Sequence, residues 1–217
     1  MATQSFFNLT EEKQLQIIDT CIEEFALYGY ETASINRIVA NTKVAKGSIY
    51  HYFESKNKLY LYLIELVENK KKLFLNDQLP KQKTFFKSLT NIMLYSMLFD
   101  LENPRYACFL QKLYNENNSN ELGNVKAIHL KHSVENIASL IQSEKDIAKK
   151  IRKNTLLQAA FVVHTVSANA TQYLELHYNF YLSDCITLNK VPFEINMQEI
   201  EVIAKQYSAL LKKGLGA

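Results

Sequence analysis

Between Gly29 and Leu59 the chain reads GYETASINRIVANTKVAKGSIYHYFESKNKL, two short helical runs joined by a turn too tight to let either one extend. The run before it has helical period through Leu15, Ile18, Ile22 and Phe25 and stops at Gly29, the residue type that most readily takes the left-handed backbone on which helices commonly end. Thr10 is placed to cap that run, and Glu11 and Glu12 suit the positive end of its dipole. Ser34 is placed to cap a second helix that buries Ile35, Ile38 and Val39, and Asn41-Thr42-Lys43 ends it. Val44, Ile49 and Phe53 anchor the third segment, which leaves Lys46, Gly47, Ser48, Tyr50, His51 and Tyr52 to face outward. Side chains committed to packing cannot read DNA. A short helix whose outward face is basic, aromatic and small suits the major groove.

Charge placement points the same way. Residues 1–31 hold Lys13 against Glu11, Glu12, Asp19, Glu23, Glu24 and Glu31, whereas residues 32–58 hold Arg37, Lys43, Lys46, Lys56 and Lys58 against Glu54 alone. Positive charge therefore gathers on the part that would meet phosphates, although the whole chain is only +3. The competing reading is an ordinary solvated basic face.

With 217 residues, no Trp, 5 Gly and 3 Pro, the chain is long enough for a sizeable core and has few helix breakers, so an all-α fold is expected. Cys21, Cys108 and Cys185 form no CxxC pair and leave an odd one over, which suits a reducing cytoplasm. No basic-then-apolar leader and no apolar run of about 18 residues is present, so no membrane association is expected. GxGxxG, GxSxG and HExxH are absent, which removes the phosphate-cradle, nucleophile-elbow and zinc-protease signatures and argues against an enzyme.

Beyond the turn, Ser55 is placed to cap a long helix with Leu59, Tyr62, Leu63, Leu66, Val67, Leu73 and Phe74 on one face. The stretch from Asp77 to Lys83, with Pro80, is the natural break. Further helices are predicted over Thr84–Asp100, from Pro104, over Val125–Gln142 and over Ile147–Tyr178, with Asn115–Asn124 as a surface loop. Asn196 with Glu199 three residues on resembles a capping box that opens a last helix.

The residues Ser34-Ile35-Asn36-Arg37-Ile38-Val39, then Val44-Ala45-Lys46-Gly47-Ser48-Ile49-Tyr50-His51-Tyr52-Phe53, then Lys56 and Leu59, resemble the helix-turn-helix of the tetracycline-repressor (TetR) family. The spacing of Gly47, Tyr50, Phe53 and Lys56 is more specific than a generic helix-turn-helix pattern. The tail from Leu210 to Ala217 is also similar to how many members end. Two positions depart from the family habit. Lys43 stands where a turn glycine is usual, and Ala45 replaces a hydroxyl cap at a cost of ~1 kcal/mol of helix stability.

The resemblance implies an N-terminal three-helix DNA-binding domain over residues 1–58 and a C-terminal helical ligand-binding and dimerisation domain over 59–217. It implies a ligand-responsive regulator, a repressor by the family's habit, that binds double-stranded palindromic operator DNA as a homodimer and is released by a small inducer. On the residues above, DNA contacts fall to Ser34, Arg37, Lys43, Lys46, Gly47, Ser48, Tyr50, His51, Tyr52 and Lys56. Aromatics of the body, Phe86, Tyr95, Phe99, Tyr106, Phe109, Phe161 and Tyr173, with His164, are the candidates for an apolar inducer pocket; the competing reading of each is core. Ala160 and Ser167 permit close helix approach, and Ile200, Ile203, Tyr207 and Leu210 form a stripe on the last helix, so these are the candidates for the dimer interface. The alternative is that the stripe closes the chain's own core.

No cofactor is expected. His129 and His132 lie three apart, but no carboxylate or Cys accompanies them at ligand spacing, so no metal site is expected. The remaining functional alternative is an all-helical carrier or enzyme whose basic helix is incidental. Binding to specific DNA separates the two.

Overall fold

The computed structural model describes residues 2–42, 44–80, 84–115, 123–143, 151 and 155–214; among these there are helices and turns but no strand. In chain order the helices are α1 (Gln4–Phe7), α2 (Glu11–Thr32), α3 (Ile35–Thr42), α4 (Lys46–Phe53), α5 (Lys56–Gln78), α6 (Phe85–Glu102), α7 (Pro104–Asn115), α8 (Gly123–Ser143), α9 (Leu156–Ala168), α10 (Ala170–Tyr178) and α11 (Met197–Gly214). A 3-10 turn, Leu182–Cys185, precedes α11. The protein is all-α, as the scarcity of glycine and proline predicts.

Helices α2, α5 and α11 start on residues whose side chains hold free backbone N–H groups. Thr10 Oγ1 accepts from Lys13 N at 3.4 Å, Ser55 Oγ from Lys58 N at 3.1 Å, and Asn196 Oδ1 from Gln198 N at 3.1 Å and Glu199 N at 3.3 Å. The second half of the expected capping box differs. Glu199 carries its carboxylate to His177 Nε2 at 2.7 Å and to the Tyr178 hydroxyl at 2.9 Å. Those two hydrogen bonds hold the Glu199 carboxyl below its ordinary range.

The expected stop at Gly29 is a kink. Gly29 takes φ 69°, ψ 177°, a region open in practice only to glycine, and one further turn follows to Thr32. The single helix predicted over Ile147–Tyr178 needs correcting where it is described. It breaks at Asn169 (φ −102°, ψ 3°), whose side chain donates to Thr165 O at 2.7 Å and so ends α9. Most of the start of that span, and residues 116–122 of the predicted surface loop, lie outside the described residues.

Two compact units are present. The first comprises Met1–Lys72, Glu102–Leu122 and Tyr181–Pro192. In it α2 packs along α7, with the Phe25 and Tyr60 rings 4.8 Å apart and Phe109 at 5.2 Å from Tyr60. Arg105, at the start of α7, has a side chain only 13% exposed. Its guanidinium donates to Ile186 O at 3.1 Å and Thr187 O at 3.0 Å. It also pairs with Glu23 at 3.2 Å and Asp19 at 4.0 Å. One side chain thus ties α7 and the turn after Leu182 to α2.

The second unit comprises Leu73–Leu101, Gly123–Phe180 and Phe193–Ala217. Its buried side chains include Met93, Met97, Ile141, Ala160, Val163, Leu174, Ile200 and Ala204. Within it the Thr171 hydroxyl donates to buried Asp100 at 2.7 Å, so that this carboxylate is not left bare in apolar surroundings.

Candidate nucleic-acid interface

The helix pair α3 and α4 is held from below by Ile35, Ile38, Ile49 and Phe53, all buried. Thr42 closes α3, its buried hydroxyl donating to Ile38 O at 2.8 Å. What remains outward on α4 is Lys46, Gly47, Tyr50 and His51, exposed, with Ser48 and Tyr52 half-buried. Lys43 lies outside the described residues.

The first turn of α4 is built against helix stability. Ala45 stands at the N-cap and makes no side-chain cap hydrogen bond, at a cost of ~1 kcal/mol relative to a hydroxyl or Asx cap. Lys46 puts positive charge at the positive end of the dipole. Gly47 costs ~1 kcal/mol relative to alanine inside a helix. Nothing in the fold demands that glycine: it is not among the residues with positive φ, and an added Cβ would meet no atom within 4 Å. Together these residues give up roughly 2 kcal/mol in one exposed turn, which is the pattern of a site kept for something other than folding.

Two of the basic candidates are held from below. Glu24, 5% exposed, accepts from Ser34 N at 2.7 Å and from Arg37 Nε at 2.9 Å and 3.1 Å, with Arg37 Nη2 at 2.6 Å. Arg37 also donates to Thr32 O at 2.9 Å and lies 4.0 Å over the Tyr28 ring. Ser34 in turn gives its carbonyl to Arg37 N and Ile38 N, both at 3.1 Å, and so starts α3. Lys56 Nζ donates to Glu31 O at 3.2 Å and lies 5.0 Å from the Tyr30 ring centre. Burial pulls the Lys56 ammonium below its ordinary value, with the Glu31 and Glu24 carboxylates pulling the other way. Glu24 is the residue that sequence reasoning missed. Its signal was an acid at i+3 from Cys21 within an otherwise apolar stripe.

The far end of α4 is closed completely. Its last carbonyls, at Tyr50, His51, Tyr52 and Phe53, accept from Glu54 N at 2.7 Å, Thr3 Oγ1 at 3.0 Å, Thr3 N at 2.8 Å and Ser55 N at 2.7 Å. Glu54 sits at φ 63°, ψ −42°, a strained conformation for a residue with a side chain.

The other candidates are scattered. Tyr106 and Phe109 belong to the first unit, where the Tyr106 hydroxyl accepts from Lys70 Nζ at 2.9 Å and Phe109 packs on Phe25 and Tyr60. In the second unit Phe99 is buried edge-to-face on Phe74, and Phe86 and Tyr95 are half-buried. Phe161 and Tyr173 are exposed. His164 is half-buried, and desolvation lowers its imidazole pKa. On α11, Ile200 and Ile203 are buried inside the unit while Leu210 is 66% exposed. On α9, Ala160 is buried and Ser167 half-buried, with Leu157, Phe161 and Val162 exposed. The expected stripe of Ile200 and Ile203 is therefore buried in this chain's own core, and the exposed faces of α9 and α11 carry Phe161, Val162, Val202 and Leu210.

Among the described residues no group of three or more His, Cys, Asp or Glu side chains is placed to hold a metal ion, and no helix is long and apolar enough to cross a membrane. All three cysteines are buried and none is in a disulfide, and burial pushes the Cys21 thiol up.

Residues 17–63 match the family model described as bacterial regulatory proteins, tetR family. A stretch of 60 residues is 37% identical to YuxN of Bacillus subtilis (strain 168), an uncharacterized HTH-type transcriptional regulator; it spans 28% of this chain and 21% of that relative. Among solved structures, a TetR family transcriptional regulator from Chloroflexus aurantiacus J-10-FL is similar over 99% of this chain and 98% of its own, with 27% identity and a TM-score of 0.77. FadR from Bacillus subtilis, solved with stearoyl-CoA, shares the fold at a TM-score of 0.64 and 16% identity, over 89% of this chain and 98% of its own.

Proposed function

We propose that the chain, whose residues 17–63 match the tetR family model and whose fold is that of a TetR family regulator over nearly its whole length, is a repressor that binds palindromic operator DNA as a homodimer and is released by a small apolar or aromatic ligand. Residues 1–58 carry the DNA-facing helices in this reading, and residues 59–217 the regulatory and dimer-forming ones. The observation that carries it is the exposed first turn of α4, where a glycine that the fold does not need leaves the backbone open to close approach. Lys46, Gly47 and Ser48 then meet base edges, while Ser34, Tyr50, His51, Tyr52 and Lys56 meet phosphates. Arg37 shapes this face through Glu24 and adds charge to it. Lys43 belongs to the same set by its place in the sequence between Thr42 and Lys46. In a homodimer two such helices lie about one helical turn, roughly 34–36 Å, apart on the operator.

For the ligand, the aromatics Phe86, Tyr95 and Phe99 and a His164 that desolvation favours as neutral suit an uncharged or long-chain molecule. The acyl portion of the stearoyl-CoA bound by FadR is of that kind. The direct test is a gel shift on the DNA upstream of the protein's own gene, repeated with cell extract as the ligand source. A shift that the extract reverses is expected; no shift on any such DNA would favour the carrier or enzyme alternative.

Two substitutions divide the contacts by kind. Lys46→Ala should change preference at one operator position by ~1–3 kcal/mol; uniform weakening on all sequences would make Lys46 a phosphate contact. Lys56→Ala should weaken specific and random DNA alike and lower the salt slope by about one unit. An unchanged slope would leave Lys56 only as the tie between Glu31 and α5.

A further inference from the structure

The segment ahead of α2 lies outside the span matched by the family model, yet it is bonded to the C-terminal end of α4. Thr3 supplies donors to two of the four last carbonyls of that helix, at 3.0 Å and 2.8 Å. Phe6, 1% exposed, is anchored among Phe53, Tyr52 and Tyr62, with ring centres 4.9, 5.9 and 6.0 Å away. Between those two fixed points Ser5 Oγ lies 2.8 Å from His51 Nε2. The contact is surface-exposed, so it contributes little to the core, and it falls on a side chain of the proposed DNA face.

We propose that Ser5 is a positioning residue for DNA binding, acting through His51. A neutral imidazole has one N–H, and the hydrogen bond made by one ring nitrogen decides where it sits. When the Ser5 hydroxyl donates to Nε2, the proton is left on Nδ1. When the ring is protonated the same hydroxyl oxygen accepts from Nε2–H, and Nδ1 again carries a proton. With the hydroxyl as the donor to the neutral ring, Nδ1–H is the ring's donor in both charge states, and the ring is held in one orientation. A phosphate oxygen, which only accepts, then finds a donor already in place. Thr3 and Phe6 keep Ser5 at bonding distance and fix the end of the helix that carries His51.

This inference rests on the DNA-binding reading, so the test has one arm that needs no DNA. In nitrogen-15 spectra of the neutral ring, His51 of the full chain should carry its proton on Nδ1. Ser5→Ala should shift population towards the Nε2–H form, and Ser5→Thr, which keeps the hydroxyl, should restore Nδ1–H. On operator DNA Ser5→Ala should weaken binding by about three- to ten-fold, the size of one hydrogen bond, with Ser5→Thr close to the parent. In a His51→Ala background Ser5→Ala should cost nothing further. An Nε2–H ring in the parent, or the same Ser5→Ala penalty with and without His51, overturns the proposal. If the spectra behave as stated but no variant, nor the parent, binds DNA, it is the DNA-binding reading that falls, and the functional role of Ser5 falls with it.

Discussion

Gly47→Ala is expected to give a protein that melts higher and binds its operator roughly ten-fold or more weakly. The two changes have separate causes. A helical glycine without positive φ gains ~0.5–1 kcal/mol on becoming alanine, and the new methyl meets no atom within 4 Å in the free protein. For a chain of this size that is a rise of about 1–4 °C in Tm. In the complex the same methyl stands where the backbone would approach the edge of a base. Losing the close approach of a single side-chain-free position is worth about 1.4 kcal/mol or more, a factor of ten. Thermal melting and titration of one preparation decide the matter together. Higher stability with unchanged affinity would show that the glycine is neutral surface and that the first turn of α4 does not face DNA.

Phe161→Glu combined with Leu210→Glu is expected to convert the protein to a folded monomer whose operator affinity falls by roughly a hundred-fold or more. Both side chains are exposed in the single chain, at 48% and 66%, so charging them leaves the core of the second unit intact. Ile203, by contrast, is 5% exposed, and a glutamate there would unfold the unit and leave dissociation unmeasured. A single reading head, the DNA-facing helices of residues 1–58, buries too little surface for high selectivity, and two heads on a palindrome multiply their affinities through one another. Sedimentation gives the mass and circular dichroism the helix content. A dimer that persists would place the interface on another face.

The reading head was legible because its signals are local. Thr10 and Ser55 start α2 and α5 as hydroxyl caps do, and Ile38, Ile49 and Phe53 turn inward at helical spacing. Glu24 was not legible, because a carboxylate among Cys21, Phe25 and Ile22 looks like one more surface acid until Arg37 and the Ser34 amide arrive from a different helix to satisfy it. The four residues of α1 are too few to show a period, and their value depends on rings that lie far along the chain. The stripe of Ile200, Ile203 and Leu210 shows a different limit. Periodicity identifies an apolar face, but burial against one's own core and burial against a second copy leave the same pattern in sequence. Here the first two residues went inward and the third stayed out. Asn169 divides a run that periodicity joins, because its own side chain competes for the carbonyl of Thr165.

Arg105 bears on how such a protein can be recombined. A hybrid made by joining residues 1–58 to a foreign regulatory body would leave Phe25 without Phe109, and Asp19 and Glu23 without the guanidinium they share. The transplanted head would expose the flank of α2 that α7 now covers. A recipient can accept it only by supplying, at the matching places, an aromatic for Phe109 and a cation for Arg105, together with a turn whose carbonyls hold that cation still. Exchange of reading heads is therefore governed by a handful of positions beyond the head itself, and a library of hybrids sorted on those positions should yield its soluble members first.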